Sequence, residues 1–374
     1  MVSCGLQHNL GITNNSINRD RKRSWAKASL AISQGRSAPN DDSDSRLGRI
    51  VRLLMENATV VVSGTKLAAE ISSNRSEVWR LIQQLRGLGM DVTGHPATGY
   101  QLRSMPDLLL PEVLKPLLRG TIFAEHIRHF YKIGSTNAEA MQAAAEGAPE
   151  GSVFLAEEQT AGRGRGANAW HSQRSTGIYC SVVLRPRLPP SEILVLALAA
   201  GLAVHAAILE IDSRLSSSLD LKWPNDVLIG GKKVCGILTE MNAEPTRVRY
   251  IVVGIGINVN QSTFPAELEP LATSLRLASG SEWSRVELTA ALLKSLHREY
   301  EQLIVQPGTR DSILLRFAKY SSWVQGKEVR IEDNGAPLEG ITAGLDERGF
   351  LRLRTTSGMQ TVLSGTVRER KVSS

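Results

Sequence analysis

The sequence predicts an α+β protein built from three folded parts. Near the N-terminus, apolar residues recur at helical spacing, and two further short helices and a hairpin follow them. In the middle of the chain, runs rich in β-branched residues are mixed with long helical patterns. Near the C-terminus, short strands are separated by Asn-Gly, Arg-Gly and Ser-Gly turns, which favours a small SH3-like β-barrel. We therefore expect a winged helix-turn-helix domain at 46–104, a mixed-sheet domain at 105–320 and a barrel at 321–374.

The composition is that of an ordinary soluble globular protein, with 42% hydrophobic and 22% charged residues in a chain of 374. The formal net charge of +7 favours anionic partners, which include nucleotides, DNA and acidic acceptor proteins. Cys4, Cys180 and Cys235 lack the spacing of metal ligands and cannot all pair with one another. A reducing, cytoplasmic compartment is the simplest interpretation.

Residues 1–45 show no sustained apolar period and are rich in Asn, Ser and Arg, so we expect a disordered extension. A basic run between Arg19 and Arg23 leaves an organelle transit peptide open as an alternative. A misplaced start codon or a dispensable tail is the favoured interpretation, because the domain that follows is of a bacterial type.

The first folded domain has the order helix, helix, turn, helix and wing. Residues 47–54 place apolar side chains on one helical face, and residues 64–71 form a second short helix. Asn74 caps the third helix with Glu77 in a capping-box pattern, and residues 92–103 form the wing. A small helical domain with a solvated basic face is the alternative, but the order of elements favours DNA binding. The expected DNA contacts, within a helix-turn-helix at 64–83, are Arg75, Ser76, Trp79 and Arg80.

Residues 193–209 form a 17-residue apolar run in which His205 is the only polar side chain. A helix of this length spans roughly 25 Å at about 1.5 Å per residue, short of the ~30 Å hydrocarbon core of a bilayer. The run also lacks basic anchors at its ends. We expect a helix buried across one face of a sheet, with His205 in the core or at its edge.

The central domain begins near Thr121, after a connector at 106–119 that is rich in Leu and Pro. Residues 129–133 are a predicted strand, and the turn that follows leads into a helix with Thr136 as its N-cap and Glu139 three positions later. A helix N-terminus carries free N–H groups and a partial positive charge, which suit a carbonyl or an anion. A well-capped helix without any ligand is the alternative.

The run Gly162-Arg163-Gly164-Arg165-Gly166 cannot be a helix interior or a regular strand, because glycine costs backbone entropy in both. Its N–H groups can approach a ligand closely, and its arginines offer guanidinium forks to carboxylate or phosphate. A flexible Arg/Gly segment that binds RNA loosely is the alternative. Predicted strands at 152–160 and 177–184 flank the run and favour a loop that is fixed over a sheet.

Two later stretches carry further candidate ligand groups. In Lys222-Trp223-Pro224-Asn225-Asp226, proline ends a strand, so the lysine projects from the sheet edge into a cleft. A surface lysine is the ordinary alternative. The run from Gly254 to Asn260 ends another strand, and its glycines at 254 and 256 let a flat ligand lie against the sheet.

Together, the GRGRG, KWPND and GIGINVN runs resemble those of the biotin–protein ligases, in the same order and at similar spacing. The resemblance extends from about residue 46 to about residue 370 and is strongest to the bifunctional ligases that also repress biotin genes. It implies a class II synthetase-like mixed sheet with helices and an SH3-like C-terminal domain. It also implies that biotin and ATP form biotinyl-5′-AMP, and that a lysine of a biotin carboxyl carrier protein then takes the biotin.

The resemblance assigns roles residue by residue. The residues implied in biotin binding are Ser135, Thr136, Asn137, Gln159, Gly162, Arg163, Gly164, Arg165, Lys222 and Gly254. The residues implied in catalysis are Lys222, Arg163 and Arg165, and those implied in ATP binding are Trp170, Lys222, Asn225, Asp226 and Asn258. Mg²⁺ is expected to enter with ATP near Asp226, and no tightly bound cofactor is expected.

The resemblance further implies three partners, which are a biotin carboxyl carrier protein, operator DNA of biotin genes and a second copy of the chain when the adenylate is bound. No membrane is implied. The stretch Gly166-Ala167-Asn168-Ala169 lacks basic residues that some relatives carry after the second arginine, which predicts weaker closure over the adenylate. A lipoate–protein ligase, a biotin-sensing repressor without ligase activity and a ligase that no longer represses remain as alternatives.

Overall fold

A computed structural model describes residues 41–87, 90–95, 98–105, 107–166, 168–305, 309–332 and 337–370. The chain forms two compact units, residues 1–106 and residues 107–374. Helix α1 begins at Asp41, so the last five residues of the predicted disordered extension are helical in backbone, while residues 1–40 lie outside the described part.

The first unit contains the predicted helices and hairpin. They are α1 (Asp41–Glu56), α2 (Gly64–Glu70), α3 (Arg75–Gly87), β1 (Asp91–His95) and β2 (Gly99–Ser104). Asn74 Oδ1 accepts a hydrogen bond from Glu77 N–H at 2.9 Å and caps α3, as predicted. The Glu77 carboxylate accepts from Arg80 at 2.7 Å, so this side chain supports a neighbour on its own helix.

Gly99 fastens the hairpin to the chain that precedes α2. Its φ of +142° lies in the region that favours glycine, and a Cβ there would lie 2.0 Å from the carbonyl oxygen of Val62. Val62 and Tyr100 exchange backbone hydrogen bonds of 2.8 and 2.9 Å across this contact. The hairpin is therefore held in place beside the helices, as a wing requires.

The second unit is organised around a seven-stranded mixed sheet with the order β3-β4-β5-β9-β8-β7-β6. Its strands are β3 (Ile127–Phe130), β4 (Val153–Ala156), β5 (Gly177–Leu184), β6 (Leu219–Lys222), β7 (Asp226–Ile229), β8 (Lys232–Ala243) and β9 (Val248–Asn258). Only β3 and β4 pair in parallel within this sheet. Both β4 and β5 are buried along their whole length, so helices must cover both faces of the sheet.

The helices of this unit lie on the two faces. They are α4 (Pro111–Leu117), α5 (Thr136–Ala145), α6 (Ile193–Ile211), α7 (Leu275–Ser279), α8 (Arg285–Val305) and α9 (Thr309–Lys319), with 3₁₀ turns at Pro190–Glu192 and Ser213–Ser217. Helix α5 packs on β4, β5 and β9, while α6 packs on β6, β7 and β8 and is covered by α8 and α9. The predicted connector at 106–119 contains α4, because its apolar side chains at Val113 and Leu114 are fully buried.

Helix α6 lies across the sheet, as the sequence predicts. It is the one helix of the described residues that is long and apolar enough to cross a membrane, and 78% of its most apolar window is buried inside the protein. His205 is 6% exposed, and its ring stacks on Tyr320 with 4.3 Å between centroids. Burial lowers the pKa of His205 to about 4, so the ring is neutral at pH 7 and suits the core.

The C-terminal part is an antiparallel sheet of five strands in the order β13-β12-β11-β10-β14. The strands are β10 (Gln325–Glu332), β11 (Leu338–Leu345), β12 (Leu351–Thr355), β13 (Gly358–Val362) and β14 (Thr366–Glu369). The predicted turn at Asn334-Gly335 lies outside the described residues. Trp223, after β6, donates from Nε1 to the carbonyl of Gly349 at 2.9 Å, so this sheet belongs to the same compact unit as the larger one.

A buried carboxylate holds the end of β4. Glu157 is fully buried, and its Oε2 lies 2.9 Å from Arg285 Nη2 at the start of α8. Ser175 Oγ donates to Oε2 at 2.9 Å, Leu109 N–H donates to Oε1 at 3.1 Å, and His129 Nε2 lies 3.1 Å from Oε1. Burial disfavours the charged form, but the hydrogen bond with His129 and the charge of Arg285 outweigh it and lower the pKa of Glu157 to about 2.

We expect Glu157→Gln to lower the free energy of unfolding by about 2 kcal/mol, because the groups around Glu157 lose a charged acceptor. Arg285 keeps its second carboxylate partner, Asp107, at 3.0 Å. The ordinary carboxyl pKa is 4.5 and the folded value about 2. The advantage of the wild type is therefore complete above pH ~5 and disappears as the pH falls through about 2. Urea denaturation measured across this pH range checks the prediction.

Glu158→Gln is the matched control, since Glu158 pairs with the exposed Lys132 at 2.6 Å. It should cost less than about 1 kcal/mol. Equal losses in the two variants at neutral pH would show that the Glu157 network does not stabilise the fold.

Candidate active site

A polar cavity lies on the face of the large sheet that carries α5. Along β9, Gly254 and Gly256 share this face, and Gly236 on β8 lies opposite Gly256. Because these three residues are glycines, they form a flat floor between the N-terminus of α5 and the loop after β4. Other residues that line the cavity include Ser135, Thr136, Asn137, Gln159, Arg163, Gly164, Arg165, Trp170, Tyr179, Asn225 and Lys233.

Trp170 fills most of this cavity. A Cβ on Gly256 would lie 2.5 Å from its indole ring, and a Cβ on Gly236 would lie 2.9 Å away. The open space that remains is about 40 Å³, whereas ligand pockets usually measure about 300–1,000 Å³. The sequence predicts a flat ligand against Gly254 and Gly256 and gives Trp170 as an ATP-binding residue, and the structure places Trp170 itself on the floor. The indole must therefore move before a ligand can lie there.

The N-terminus of α5 points into the cavity. Its N-cap is Ser135, and the prediction that Thr136 would be the cap is wrong by one residue. Ser135 makes no capping bond through its side chain. Gln159, from the loop after β4, instead accepts from Thr136 N–H at 2.8 Å and from Thr136 Oγ1 at 3.0 Å. The Gln159 carboxamide thus accepts from a free N–H group at the start of the helix, and a ligand carbonyl can replace this carboxamide.

A buried hydroxyl organises the side chains beside this helix end. Ser181 Oγ on β5 lies 2.6 Å from Asn137 Oδ1 and 2.8 Å from Thr136 Oγ1, and it can donate to only one of them at a time. Asn137 Nδ2 donates to Glu240 Oε2 at 2.9 Å. A Cβ on Gly254 would lie 2.0 Å from Asn137 Oδ1, so glycine is required there. The result is a rigid set of donors and acceptors.

The Arg/Gly run forms a tight hairpin over the cavity. Gly164 N–H donates to Asn168 O at 2.8 Å, and Trp170 N–H donates to Gly162 O at 2.9 Å. Gly162 has no room for a side chain, because a Cβ would lie 2.6 Å from Trp170 O. Ala167 lies outside the described residues. Glycines here allow close packing of the hairpin, while the two arginine side chains project from it.

The arginines reach groups on different sides of the cavity. Arg163 Nη1 lies 3.9 Å from Glu240 Oε1, and its side chain is 58% exposed. Arg165 Nη1 is 3.5 Å from Asn225 Oδ1 and 3.5 Å from the carbonyl oxygen of Gly365 in the C-terminal sheet. Both arginines line the cavity, and their contacts with ligands stay a prediction.

Lys233, and not Lys222, is the lysine that lines the cavity. Lys233 Nζ lies 2.7 Å from Asp226 Oδ1 and 5.5 Å from the centre of the Trp170 ring. Lys222 does end β6 as predicted, but its Nζ lies 4.3 Å from the ring of Trp323, beside the C-terminal sheet. The roles of Lys222 in biotin binding, ATP binding and catalysis stay a prediction, because the lysine lies beside the cavity in this structure.

Asn225, Asp226 and Asn258 have separate surroundings. Asn225 lines the cavity and donates to Ile237 O at 2.7 Å, which fixes the turn after β6. Asp226 faces Lys233. Asn258 does not line the cavity, since its Nδ2 donates to Thr273 O at 3.1 Å and its Oδ1 accepts from Gln261. In this structure the side chain holds the loop after β9, and its contact with ATP stays a prediction.

Known proteins share this arrangement. Residues 130–258 match the biotin/lipoate A/B protein ligase family, residues 325–368 match the biotin protein ligase C-terminal domain, and residues 46–101 match an HTH domain. The bifunctional ligase/repressor BirA of Bacillus spizizenii is 35% identical over 320 residues, which make up 85% of this chain and 97% of that protein. The chain belongs to the biotin protein ligase family.

Other proteins of this family are also similar to the chain in sequence and fold. The biotin–[acetyl-CoA-carboxylase] ligase of Mycobacterium tuberculosis is 37% identical over 237 residues, 63% of this chain and 85% of that protein. The biotin protein ligase from Aquifex aeolicus in complex with biotin and ATP superposes with a TM-score of 0.56 at 30% identity, covering 66% of this chain and all of that one. The predicted family, α+β fold and helix-turn-helix are confirmed.

The residues predicted to contact DNA lie in the first unit of this biotin protein ligase family member, within the part that matches an HTH domain. Arg75, Ser76, Trp79 and Arg80 are all exposed on α3, opposite the buried face of that helix. Trp79 is 58% exposed. Arg75 and Trp79 line one side of a groove of about 450 Å³, with His95 and Tyr100 of the wing on the other.

Sequence reasoning missed three groups, of which Lys233 lines the cavity and Ser181 and Glu240 hold the cavity residue Asn137. Lys233 follows another lysine at the start of β8, and no nearby motif distinguishes it from an exposed lysine. Ser181 lies inside an apolar strand and has no local signal. Glu240 is the partner of Asn137 across a sequence separation of 103 residues. A serine in the middle of a fully buried strand is the one signal that could have been used, because a buried hydroxyl requires a partner.

We expect Gly254→Ala to weaken biotin binding at least about tenfold. The new Cβ must displace Asn137, and a buried polar group that loses its partners costs about 1–3 kcal/mol. Isothermal titration with biotin measures the effect. Gly134→Ala, with open space around the added Cβ, is the control and should bind as the wild type does. Unchanged affinity of Gly254→Ala would exclude Asn137 from the biotin pocket.

Proposed function

We propose that this protein activates biotin with ATP to biotinyl-5′-AMP and transfers the biotin to a lysine of a biotin carboxyl carrier protein. The observation that carries the proposal is a single cavity that combines a rigid polar end with a cationic end. Thr136, Asn137 and Ser181 supply donors and acceptors at the N-terminus of α5. Lys233 and Arg165 supply positive charge at the opposite side.

The polar end suits the ureido ring of biotin, which presents two N–H donors and one carbonyl acceptor. Asn137 Oδ1 and Ser181 Oγ can accept from ring N–H groups, and Thr136 N–H can donate to the carbonyl once Gln159 moves aside. Biotin then directs its carboxylate chain along the glycine floor toward Lys233. This assignment rests on geometry and on the family, and the biotin affinity of Gly254→Ala tests it.

Activation brings two anions into bonding distance. A carboxylate oxygen of biotin attacks the α-phosphorus of ATP, the bond between that phosphorus and the bridging oxygen breaks, and pyrophosphate leaves with the electron pair. Lys233, Arg163 and Arg165 offset the repulsion between the two reactants and the charge that develops on the phosphate. No covalent enzyme intermediate is needed, so the contribution of the protein is positioning and charge neutralisation.

Transfer completes the reaction. The neutral amine of the carrier lysine attacks the acyl carbon of the mixed anhydride, forms an amide and releases AMP together with a proton.

Mg²⁺ would enter with the phosphates of ATP, as part of the substrate. Within the described residues, no group of three or more His, Cys, Asp or Glu side chains could hold a metal. Asp226 is already paired with Lys233, so it orients the lysine. We propose that the reaction takes place in the cytoplasm.

We further propose that the first unit binds operator DNA of biotin genes as a dimer whose formation the adenylate promotes. A single winged helix covers too little DNA to be selective, whereas two of them reach major-groove faces about 34–36 Å apart. Arg75 is the preferred phosphate contact, because the guanidinium of Arg80 already donates hydrogen bonds to the Glu77 carboxylate. Repression would then report that no acceptor remains to be biotinylated.

Lys233→Met should reduce the rate of adenylate formation by about 10²–10³, the usual loss when one preorganised electrostatic group is removed. Release of pyrophosphate in the presence of labelled biotin measures this step, and transfer to a carrier domain with and without its lysine measures the whole reaction. Lys232→Met is the matched control, since Lys232 Nζ faces outward to Glu269 O at 2.9 Å. Equal rates in Lys233→Met and wild type would remove Lys233 from the mechanism.

Arg75→Ala should weaken binding to the DNA upstream of biotin genes and reduce the log–log salt slope by about 0.9, the value for one phosphate contact. Gel shifts with and without biotin plus ATP measure both effects, and the wild-type complex should tighten when both are present. Arg214→Ala removes the same charge from the other compact unit and is the control. A wild-type protein that shifts no DNA but retains ligase activity would contradict the repressor role.

A further inference from the structure

Glu240 is an acidic residue beside the cavity that the proposed reaction does not use. It lies in the second half of β8, and its side chain shares the face of the sheet that carries α5. Glu240 Oε2 accepts from Asn137 Nδ2 at 2.9 Å, and Glu240 Oε1 lies 3.9 Å from Arg163 Nη1. One carboxylate therefore contacts both the polar end of the cavity and the hairpin that covers it.

The contacts of Asn137 leave its carboxamide one orientation. Its Nδ2 has two protons, and β8 accepts both, since Nδ2 donates to Glu240 Oε2 and, at 3.3 Å, to the carbonyl oxygen of Leu238. A flipped carboxamide would bring Oδ1 against these two acceptors, and an ionised carboxylate has no proton to donate. Asn137 Oδ1 must therefore lie on the other side, over Gly254 and 2.6 Å from Ser181 Oγ.

This orientation decides whether the ureido ring of biotin is recognised. Each ring nitrogen carries an N–H donor, so a carboxamide that binds it has to present its oxygen. A flipped Asn137 would place its NH₂ group against those donors. Asn137 is only 4% exposed, and water cannot satisfy the groups that such a flip would leave unpaired.

We propose that Glu240 is a positioning residue for biotin, which fixes the Asn137 carboxamide with its oxygen toward the ring N–H groups. This inference rests on the proposed function. Glu240 acts through Asn137 and does not itself touch biotin. The reading of the ureido ring thus depends on a carboxylate more than 100 residues away in the sequence.

The two oxygens of Glu240 separate this role from the movement of the hairpin. Arg163 is 58% exposed and its contact with Oε1 is long, so the pair holds the hairpin only weakly. An anionic ligand can take Arg163 away from Oε1 while Oε2 keeps its hydrogen bond with Asn137. Asn137 therefore keeps its orientation whether the hairpin is open or closed.

A double-mutant cycle in the full chain tests the proposal. Glu240→Leu should raise the KM for biotin about tenfold, because one of the two acceptors that fix Asn137 is lost, and should change the KM for ATP by less than about threefold. Glu240→Thr, a short side chain suited to a strand, should give the same loss and keeps the test valid if the leucine variant does not fold.

Two further variants separate positioning from structure. Glu240→Gln should keep most of the biotin affinity, because its amide oxygen can still accept from Asn137 Nδ2. Asn137→Ala should weaken biotin binding by itself, and Glu240→Leu added to it should cost less than about twofold more, because no carboxamide remains to be held. Glu244→Leu is the matched control, since Glu244 follows β8 and pairs with the exposed Arg247 and Arg249.

A loss of biotin affinity that glutamine restores, and that disappears in the Asn137→Ala background, supports the assignment. An unchanged KM for biotin in Glu240→Leu and Glu240→Thr, with adenylate still formed, overturns it and leaves the ligase proposal intact. Additive losses in the double variant, or equal rises for biotin and ATP, also overturn it, because Glu240 would then not act through Asn137. A folded wild-type protein that forms no adenylate overturns the ligase proposal together with this one.

Discussion

The Glu157 carboxylate is the constraint on which the active site depends. Both of its oxygens are fully used, by Arg285 and Ser175 on one side and by Leu109 and His129 on the other. These groups come from four separate parts of the chain, so one buried charge fixes the strand end from which the Arg/Gly hairpin departs. A buried ion pair brings little net stability by itself. Its value here is that Gln159, only two residues later, reaches the N-terminus of α5 in one defined position.

The sequence predicted the parts of this protein that are local. The capped third helix with Asn74, the strand end at Lys222 and the buried run around His205 were all found where short-range patterns indicated. The directions of the side chains at the site were predicted less well, because they depend on neighbours that are distant in the sequence. Lys222 is the last residue of β6 and Lys233 is the second residue of β8. A register shift between Val227 and Leu228 lies where Lys233 pairs with β7.

Long-range partners explain the remaining differences. The helix cap at Ser135 and Thr136 could not be assigned from the local sequence, because the group that satisfies it is Gln159 on another strand end. Asn258 follows a glycine-rich strand and is a predicted ligand group. In the structure its amide donates to Thr273 and accepts from Gln261 in the next loop. Motifs therefore indicated the reaction and the region of the site. The contacts that select among candidate residues arise only when the sheet brings distant segments together.

The glycine floor gives the hairpin a second role. Trp170 lies on Gly236 and Gly256 and leaves about 40 Å³ open, so the hairpin has to open before biotin and ATP can bind. Two of the backbone bonds that close it, Gly164 to Asn168 and Trp170 to Gly162, lie in a segment with exposed arginines. Opening therefore exposes little apolar surface apart from the indole, and an anionic ligand can compensate by pairing with Arg163 and Arg165. Ligand binding is thus coupled to the conformation of the hairpin, because Trp170 of the hairpin occupies the place of the ligand on the glycine floor.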